Sequence, residues 1–255
     1  MKLNIVPANR GLHWVKLGIQ TFFRQPLALA GLFFMYIAAV VVVSVVPVIG
    51  VLIGGVLVPA ATLGLMAATA QASRGSFPMP TVLLSAFRAG RERARAMLAL
   101  GVLYTVGSLV ASTLAGWAAG GGEPPPPGEM DARMLLALAF HAPLFLLFWH
   151  APALVHWHGV SPVKSLFFSA VACLRNLGAH LVYALAWLAV FLGVGSVVGL
   201  LGLTLGGANA GRALLVPTAL LLAAMFSTSI FFTFQESFSS SEAEGQSPPP
   251  EGPLP

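Results

Sequence analysis

Long apolar segments make up most of the chain, and the charged residues are confined to the shorter segments between them. A helix needs about 20 apolar residues to cross the hydrocarbon core of a bilayer, which is about 30 Å thick. Six segments meet this requirement, at approximately 27–46, 48–70, 97–117, 134–155, 181–203 and 213–234. Pro47 alone separates the first two, and together they are too long for one crossing, so we expect a hairpin there. The pattern predicts an all-α, polytopic membrane helix bundle with about six transmembrane helices.

The segment before each odd-numbered span is too polar to cross the bilayer and too apolar for an ordinary loop. In each one the apolar residues recur with the period of an α-helix, and the polar residues occupy another face. Helices with this pattern rest at the headgroup level of a membrane. We therefore expect amphipathic interfacial helices at approximately 11–24, 81–96 and 162–176.

The second and third of these segments occupy matching places in an internal repeat. One constant shift along the chain aligns six pairs of identical residues: Pro59 with Pro143, Gly75 with Gly159, Pro78 with Pro162, Ser85 with Ser169, Ala86 with Ala170 and Arg91 with Arg175. Arg24 and Gln25 hold a similar place before the first span, which extends the pattern to a third copy. We therefore expect three units, each built from one surface helix and two spans.

Two segments lack the apolar content of the rest. Between Gly120 and Arg133 the chain contains four consecutive prolines next to glycine and glutamate, which is typical of an exposed polyproline loop. From residue 237 to residue 255 the chain is rich in Ser, Glu and Pro, which bury too little apolar surface to offset the entropy of ordering. We expect a single integral membrane domain over residues 1–236 and a disordered cytoplasmic tail over residues 237–255.

The composition agrees with a membrane location. Of the 255 residues, 57% are hydrophobic and 8% are charged, whereas about 25% of the residues in soluble domains are charged. The formal net charge is +5, but the basic residues flank apolar segments, which favours a membrane surface over nucleic acid as their partner. Because Cys173 is the single cysteine, no intrachain disulfide can form, and we expect a packed, inert thiol.

Lysine and arginine are unevenly distributed between the two sets of loops, and loops rich in these residues are retained in the cytoplasm. One set carries all but two of the 13 basic residues, and the other carries only Arg133 and Arg212. The residues of the richer set are Lys2, Arg10, Lys16, Arg24, Arg74, Arg88, Arg91, Arg93, Arg95, Lys164 and Arg175. Together with the even number of spans, this bias predicts that both termini are cytoplasmic.

Five short motifs stand out in the first part of the chain. They are LNIVPA from Leu3, GLHWVKLG from Gly11, FFRQPLALAGLF from Phe22, PAATLGLM from Pro59 and FPMP from Phe77. Through these motifs the chain resembles an uncharacterised family of proteobacterial multi-pass inner-membrane proteins, most closely up to about Met97. The resemblance implies a bacterial inner-membrane location and the same pattern of spans. It brings no activity, so no functional residue is carried over.

Ionisable side chains inside a membrane usually mark ion pathways or proton relays, and the six predicted cores contain no Asp, Glu, Lys or Arg. This argues against a carboxylate-driven transporter, a voltage sensor and an acid–base enzyme. Histidine is the exception, because the fourth span and the start of the fifth carry His141, His150, His156, His158 and His180. A metal or proton site is one interpretation, but His156 and His158 fall on different faces of a helix and lack the glutamate of catalytic zinc helices. We favour an interfacial belt with Trp157, and we predict no metal ion and no cofactor.

Glycine and proline indicate two structural features of the spans. The fifth span carries a stripe of glycines: Gly195, Gly199, Gly202 and Gly206. Such a stripe would let neighbouring helices pack closely. Prolines that would kink the even-numbered spans are Pro59, Pro143, Pro152 and Pro217. Kinked helices line substrate cavities in transporters, but they also occur in inert bundles, which is the interpretation we favour.

The arginines just before the third span are the best candidates for contact with a ligand. Arg88, Arg91, Arg93 and Arg95 would bind anionic lipid headgroups, in addition to fixing the topology. We therefore expect a non-enzymatic membrane-organising or accessory protein that contacts anionic lipids, a protein partner or a second copy of itself, and no nucleic acid. Two alternatives stay open: a small-molecule or lipid transporter that uses the kinked spans, and an intramembrane enzyme built on the histidines.

Overall fold

A computed structural model of the protein describes residues 2–120 and 132–239. The predicted polyproline loop and most of the predicted tail lie outside these residues. The helices of the described part are α1 (Arg10–Arg24), α2 (Pro26–Ser44), α3 (Ile49–Ser73), α4 (Ser85–Arg88), α5 (Arg91–Ala118), α6 (Ala132–Phe148), α7 (Ala151–His158), α8 (Pro162–Arg175) and α9 (Leu177–Ser237). A 3-10 turn over Pro80–Leu84 precedes α4, and β1 (Lys2–Leu3) pairs antiparallel with β2 (Phe238–Ser239).

Six helical segments of the described chain are long and apolar enough to cross a membrane, which confirms the predicted all-α polytopic bundle. The first three are α2, α3 and α5, and the fourth runs through α6 and α7 from Met134 to His158. The last two are the arms of α9, Leu177–Gly207 and Asn209–Ser237. The chain turns back between these arms at Gly206 and Gly207, where Gly207 has a φ of 74°, a left-handed conformation that glycine adopts at little cost.

The hairpin predicted at Pro47 is present between α2 and α3. Glycine is required just after the turn, because a Cβ atom on Gly50 would lie 3.0 Å from the carbonyl carbon of Val43 and would overlap with its oxygen. The close approach of the two helices therefore begins at the turn itself.

The interfacial helix predicted over residues 81–96 is wrong as a single helix. Instead the chain forms the 3-10 turn and the short helix α4, breaks at Gly90 with a φ of 99°, and restarts as α5 at Arg91. The turn packs tightly on α3, because a Cβ atom on Gly64 would lie only 2.7 Å from the Cα atom of Leu83. Helical periodicity was not enough to keep the segment straight, since Gly90 permits the break and packing on α3 fixes it.

Helices α1 and α8 match the ranges predicted for the other two interfacial helices to within one residue. Much of the apolar face of α1 nevertheless packs on protein rather than lipid. Trp14 and Phe22 are buried, and Gly11 and Gly18 bring the helix against the two arms of α9. A Cβ atom on Gly11 would lie 2.6 Å from the backbone nitrogen of Tyr183, and one on Gly18 would lie 2.7 Å from the Cα atom of Ser229.

The fourth span is interrupted between α6 and α7, and Pro152 lies in the first turn of the second helix. The hydroxyl of Ser169 enters the gap: it accepts a hydrogen bond from the backbone N–H of His150 at 2.9 Å and donates one to the carbonyl of Leu146 at 2.8 Å. In an uninterrupted helix these two backbone groups would bond to each other. Of the four prolines predicted to kink the spans, Pro152 therefore adjoins a true break, whereas Pro59, Pro143 and Pro217 lie within continuous helices.

The order of the elements follows the three units predicted from the repeat. Each unit begins with a surface segment, which is α1, the 3-10 turn with α4, or α8, and two spans follow it. The first and last units meet directly, because α1 packs along α9 over most of its length. The first and last described segments, β1 and β2, therefore come together on one face of the bundle.

Candidate functional site

The four arginines predicted to contact lipid headgroups lie on both sides of the break between α4 and α5. Arg88 ends α4, and Arg91, Arg93 and Arg95 occupy the first two turns of α5. All four are exposed, and within the described chain none has a carboxylate partner within 4.0 Å. Arg93 donates a hydrogen bond to the backbone carbonyl of His156, which ties the start of α5 to α7. The structure thus places the four exposed arginines within eight residues of one another along the chain, at the start of the third span.

This placement of arginines does not stabilise α5. The N-terminal end of a helix carries a partial positive charge, so a basic residue in the first turn is unfavourable by a few tenths of a kcal/mol. Glu92 lies in the same turn and offsets part of this charge. Helix stability therefore does not account for the arginines, and their charge is available to an anionic partner.

Other basic residues are exposed at the same ends of the spans. Because successive spans run in opposite directions, the surface segments α1, α4 and α8 and the C-terminal end of α3 lie on one side of the bundle. The exposed basic residues of these elements, besides the four already described, are Lys16, Arg24, Arg74, Lys164 and Arg175. We call this side, which also carries β1 and β2, the basic face.

A second feature is an apolar groove between α2, α3 and the segment that contains α4. Its volume is about 350 Å³. Tyr36 is the most polar residue of the wall, and Leu83, Leu84 and Phe87 close one side. A groove of this character fits a hydrocarbon chain and offers little to a polar solute.

The glycine stripe of the fifth span packs closely at one end only. A Cβ atom on Gly202 would lie 2.7 Å from the backbone nitrogen of Gly211, so the two arms of α9 touch there. Gly206 lies against Ala210 in the turn that follows, and Gly199 makes ordinary contact with Leu215. No heavy atom of the described chain lies within 4 Å of the Cβ position of Gly195, so this glycine is not a packing residue here.

The histidines do not act as one group. His141 bonds to the carbonyl of its own helix at Ala137, and His156 and His158 lie at the end of α7 beside Trp157 and Phe234. His150 and His180, by contrast, are brought together inside the bundle, with ring centroids 5.8 Å apart. The structure therefore separates a surface set of histidines from a buried pair.

Cys173 completes this buried cluster. It lies on α8, one turn after Ser169, and its thiol is 3.8 Å from the carbonyl oxygen of Leu146. One potential ligand atom from each of His150, Cys173 and His180 lies within 4.8 Å of the other two. Burial raises the pKa of the Cys173 thiol to about 12, so the free thiol is protonated at neutral pH. The packed thiol predicted from the sequence is present, but it has two histidines as neighbours.

At the basic face the N-terminal segment contacts the last span and the end of α8. Arg10 forms a bidentate ion pair with Glu236, whose carboxylate also accepts a hydrogen bond of 2.8 Å from the indole of Trp14. Asn176 bridges to the N-terminal segment: its side chain accepts from the backbone of Val6 at 2.9 Å and donates to the backbone of Asn4 at 3.0 Å. These contacts hold the start of the chain against the end of the last span.

The same contacts correct the boundary of the predicted tail. Ser237 and Phe238 are buried, and β2 pairs with β1, so residues 237–239 belong to the membrane domain. The ring of Phe238 lies 5.5 Å from that of His150, which anchors the end of the chain in the core. Residues 240–255 lie outside the described residues.

Sequence reasoning named His150 and His180 among five histidines but did not group them with Cys173, and it missed the ion pair between Arg10 and Glu236. The buried cluster joins His150 to Cys173 and His180, which lie on different helices. The ion pair joins Arg10 to Glu236, which are separated by most of the chain. The only local signal was that Glu236 follows the last apolar segment directly, where an unpaired carboxylate would be costly. The partner of that carboxylate could not be read from the sequence.

Comparison with known proteins supports the membrane assignment. A probable inner membrane protein of Burkholderia thailandensis is 36% identical over 254 residues, covering 93% of this chain and 94% of the relative. No family model matches the chain, and no solved structure matches it. The similarity extends over nearly the full length of both proteins. The chain therefore belongs to the same family of multi-pass inner-membrane proteins as this Burkholderia protein.

Proposed function

We propose that this inner-membrane protein is non-enzymatic and organises or assists other membrane components by binding anionic lipids. The observation that carries the proposal is the cluster of Arg88, Arg91, Arg93 and Arg95 on the basic face. These side chains are exposed and lack carboxylate partners within the described chain, at a helix end that disfavours positive charge. A phosphate headgroup would supply the missing negative charge.

The orientation of the protein is part of this proposal. Eleven of the 13 basic residues belong to the segments of the basic face, a bias typical of cytoplasmic loops. With the termini in the cytoplasm, the arginines would face the inner leaflet, where each basic residue near an anionic surface contributes about 1 kcal/mol. A reporter fused after Gln246 should then be cytoplasmic and one inserted near Pro125 periplasmic. The opposite result would remove the inner leaflet as the binding surface.

The arginine cluster can be tested on the intact protein with two variants of equal charge. In the first, Arg88, Arg91, Arg93 and Arg95 are replaced by Gln, and in the second, Lys16, Arg24, Lys164 and Arg175 are replaced by Gln. Both lose four positive charges from the basic face. The measurement is the amount of phosphatidylglycerol, relative to phosphatidylcholine, that the purified protein retains in native mass spectrometry.

Four contacts of about 1 kcal/mol each would limit the contribution of these arginines to a preference for phosphatidylglycerol of about 10³-fold. We expect the first variant to lose at least about tenfold of this preference. The second variant should lose less, and the wild-type preference should fall as salt is raised. Equal losses would show that the charge of the whole face matters and that the cluster is not a site. Unchanged binding in both variants would leave the arginines with a topological role only.

The apolar groove favours a second candidate, a lipid-handling protein or transporter. Its wall is almost entirely hydrocarbon, and its volume of about 350 Å³ is enough for part of an acyl chain. Ala61 lines it, so Ala61→Trp should fill it while leaving the arginines in place. If the protein retains a lipid after the arginine substitutions but loses it in Ala61→Trp, the groove and not the arginine cluster would be the lipid-binding site.

A further inference from the structure

The buried cluster of His150, Cys173 and His180 has the features of a metal-binding site. The three residues come from different elements: the break in the fourth span, the surface helix α8 and the start of the fifth span. A potential ligand atom of each lies within 4.8 Å of the other two. We propose that these three side chains bind one Cu(I) ion just inside the basic face of the bundle.

The strongest support is the unpaired state of His150. The residue is fully buried, and neither ring nitrogen has a hydrogen-bond partner within the described chain. A buried polar group left without a partner costs about 1–3 kcal/mol, so such groups are rare unless a ligand, an ion or a water satisfies them. Its neighbours offer no replacement, because the rings of Phe234 and Phe238 lie 6.0 Å and 5.5 Å from its own ring. A bound metal ion would pair one of these nitrogens.

His180 is held in the tautomer that a metal ligand requires. Its Nδ1 atom lies 3.0 Å from the backbone carbonyl oxygen of Asn176, and because that oxygen can only accept, Nδ1 carries the proton. In a neutral imidazole the lone pair is then on Nε2, which is buried and has no partner within the described chain. A ring nitrogen that donates to a backbone carbonyl is the usual orienting contact of a histidine ligand. Asn176 itself is fixed by its bonds to the N-terminal segment.

The spacing of the three side chains is compatible with coordination. Bonds from a metal to nitrogen and sulfur are about 2.0–2.3 Å long, which places the ligand atoms of a three-coordinate site roughly 3.5–4 Å apart. The three ligand atoms are up to 4.8 Å apart, so side-chain movements of about 1 Å would bring them to the distances of a coordinated site. Binding would displace the proton of the Cys173 thiol, which leaves to water as the sulfur–metal bond forms, with no change of oxidation state.

The ligand set and its surroundings favour Cu(I) over Zn(II). A thiolate with imidazoles suits either ion, but structural Zn(II) takes four ligands, and within the described chain the cluster offers three from His, Cys, Asp or Glu. Cu(I) accepts three ligands readily. Charge points the same way, because Cu(I) with one thiolate is neutral, whereas Zn(II) would leave a positive charge among aromatic rings where desolvation is costly.

A pocket on the basic face lies beside the cluster. This pocket of about 440 Å³ opens between the C-terminal ends of α3, α7 and α9, and His158, Phe234 and Phe238 lie in its wall. The two phenylalanine rings separate the pocket from His150. An ion entering from the basic face would pass His158. Rotation of the Phe234 and Phe238 side chains would then open the way to His150.

The test uses the full chain purified in detergent under anaerobic conditions, with Cu(I) titrated against a colorimetric Cu(I) chelator. We expect one equivalent to bind, and Cys173→Ser and His180→Gln each to weaken binding by more than about 100-fold, beyond the effect of losing an outer-shell contact. His141→Gln and His156→Gln are the matched controls, since these histidines lie outside the cluster and do not line the pocket beside it, and they should retain stoichiometric binding. X-ray absorption of the copper-loaded protein should show one sulfur and two nitrogen ligands.

Cys173→Ser is a nearly isosteric change, and its melting temperature without metal distinguishes loss of a ligand from loss of the fold. Binding of less than one equivalent by the wild-type protein would overturn the proposal. So would tight binding that survives both Cys173→Ser and His180→Gln. Zn(II) bound by the same three residues at equal or higher affinity would overturn the assignment to Cu(I).

Discussion

The two ends of the helix bundle are built differently. At the basic face, α1, α7, α8 and both arms of α9 meet in a densely packed core with Trp14, Tyr183 and Trp187 almost fully buried. Toward the opposite face the helices are more separate. In the most apolar stretch of the span Leu177–Gly207, only 6% of the residues are buried inside the protein. One end is thus held by contacts within the protein, while the other presents most of its surface to lipid.

The difference shows where specificity comes from in a membrane bundle. Lipid is as apolar as leucine, so burying apolar surface between spans gains little, and close packing and hydrogen bonds must hold helices together. At the basic face these contacts are numerous: Ser229 bonds with the hydroxyl of Tyr183 at 2.6 Å and the indole of Trp187 at 3.1 Å. Trp149 donates to Thr233 at 2.9 Å. The candidate chemistry lies at this end, where these hydrogen bonds hold the side chains in place.

The largest effect should come from forcing α1 away from α9. A side chain at Gly11 has no room, because its Cβ atom would lie 2.6 Å from the backbone nitrogen of Tyr183. Backbone atoms cannot move aside cheaply, so we expect Gly11→Leu to destabilise the protein by about 3 kcal/mol or more. Gly31→Leu is the control, since no heavy atom lies within 4 Å of its Cβ position in the described chain. Equal melting temperatures in detergent would contradict the idea that the basic face anchors the fold.

A smaller effect is expected at the opposite end. Gly202→Leu should push apart the arms of α9, whereas Gly195→Leu, in the same glycine stripe, should be nearly neutral. Because the arms there are surrounded mainly by lipid, they can separate, and we expect a cost of about 1–2 kcal/mol, less than at Gly11. Thermal unfolding in detergent of the two variants compares them directly. A larger loss for Gly195→Leu would mean that the stripe binds something outside the described chain.

The smallest effect should come from the ion pair that joins the chain ends. Glu236→Gln keeps the shape of the side chain but removes its charge, and the partner Arg10 is 38% exposed, so solvent screens the pair. We expect a loss of about 1 kcal/mol, and a double-mutant cycle with Arg10→Gln should show the two changes to be strongly non-additive. Additive losses would indicate that each residue acts through other contacts, such as the bond from Trp14 to Glu236.

The accuracy of the sequence predictions follows the range of the forces involved. The spans were predicted well, because crossing a bilayer depends on the apolar content of one continuous segment. The segment 81–96 was predicted as one helix because its periodicity is local, but Gly90 and packing on α3 break it. In the glycine stripe, the spacing gave the shared face, while contact at Gly202 and its absence at Gly195 depend on the second arm of α9.

The sequence by itself determined that this is a six-span, all-α protein of a bacterial inner-membrane family with a strongly basic set of loops. Hydrophobic length and charge bias are properties of single segments, and the bilayer acts on each segment separately. Only the tertiary structure joined Arg10 to Glu236 and gathered His150, Cys173 and His180 into one cluster. Such contacts depend on how the helices pack, which no local pattern of apolar and polar residues encodes.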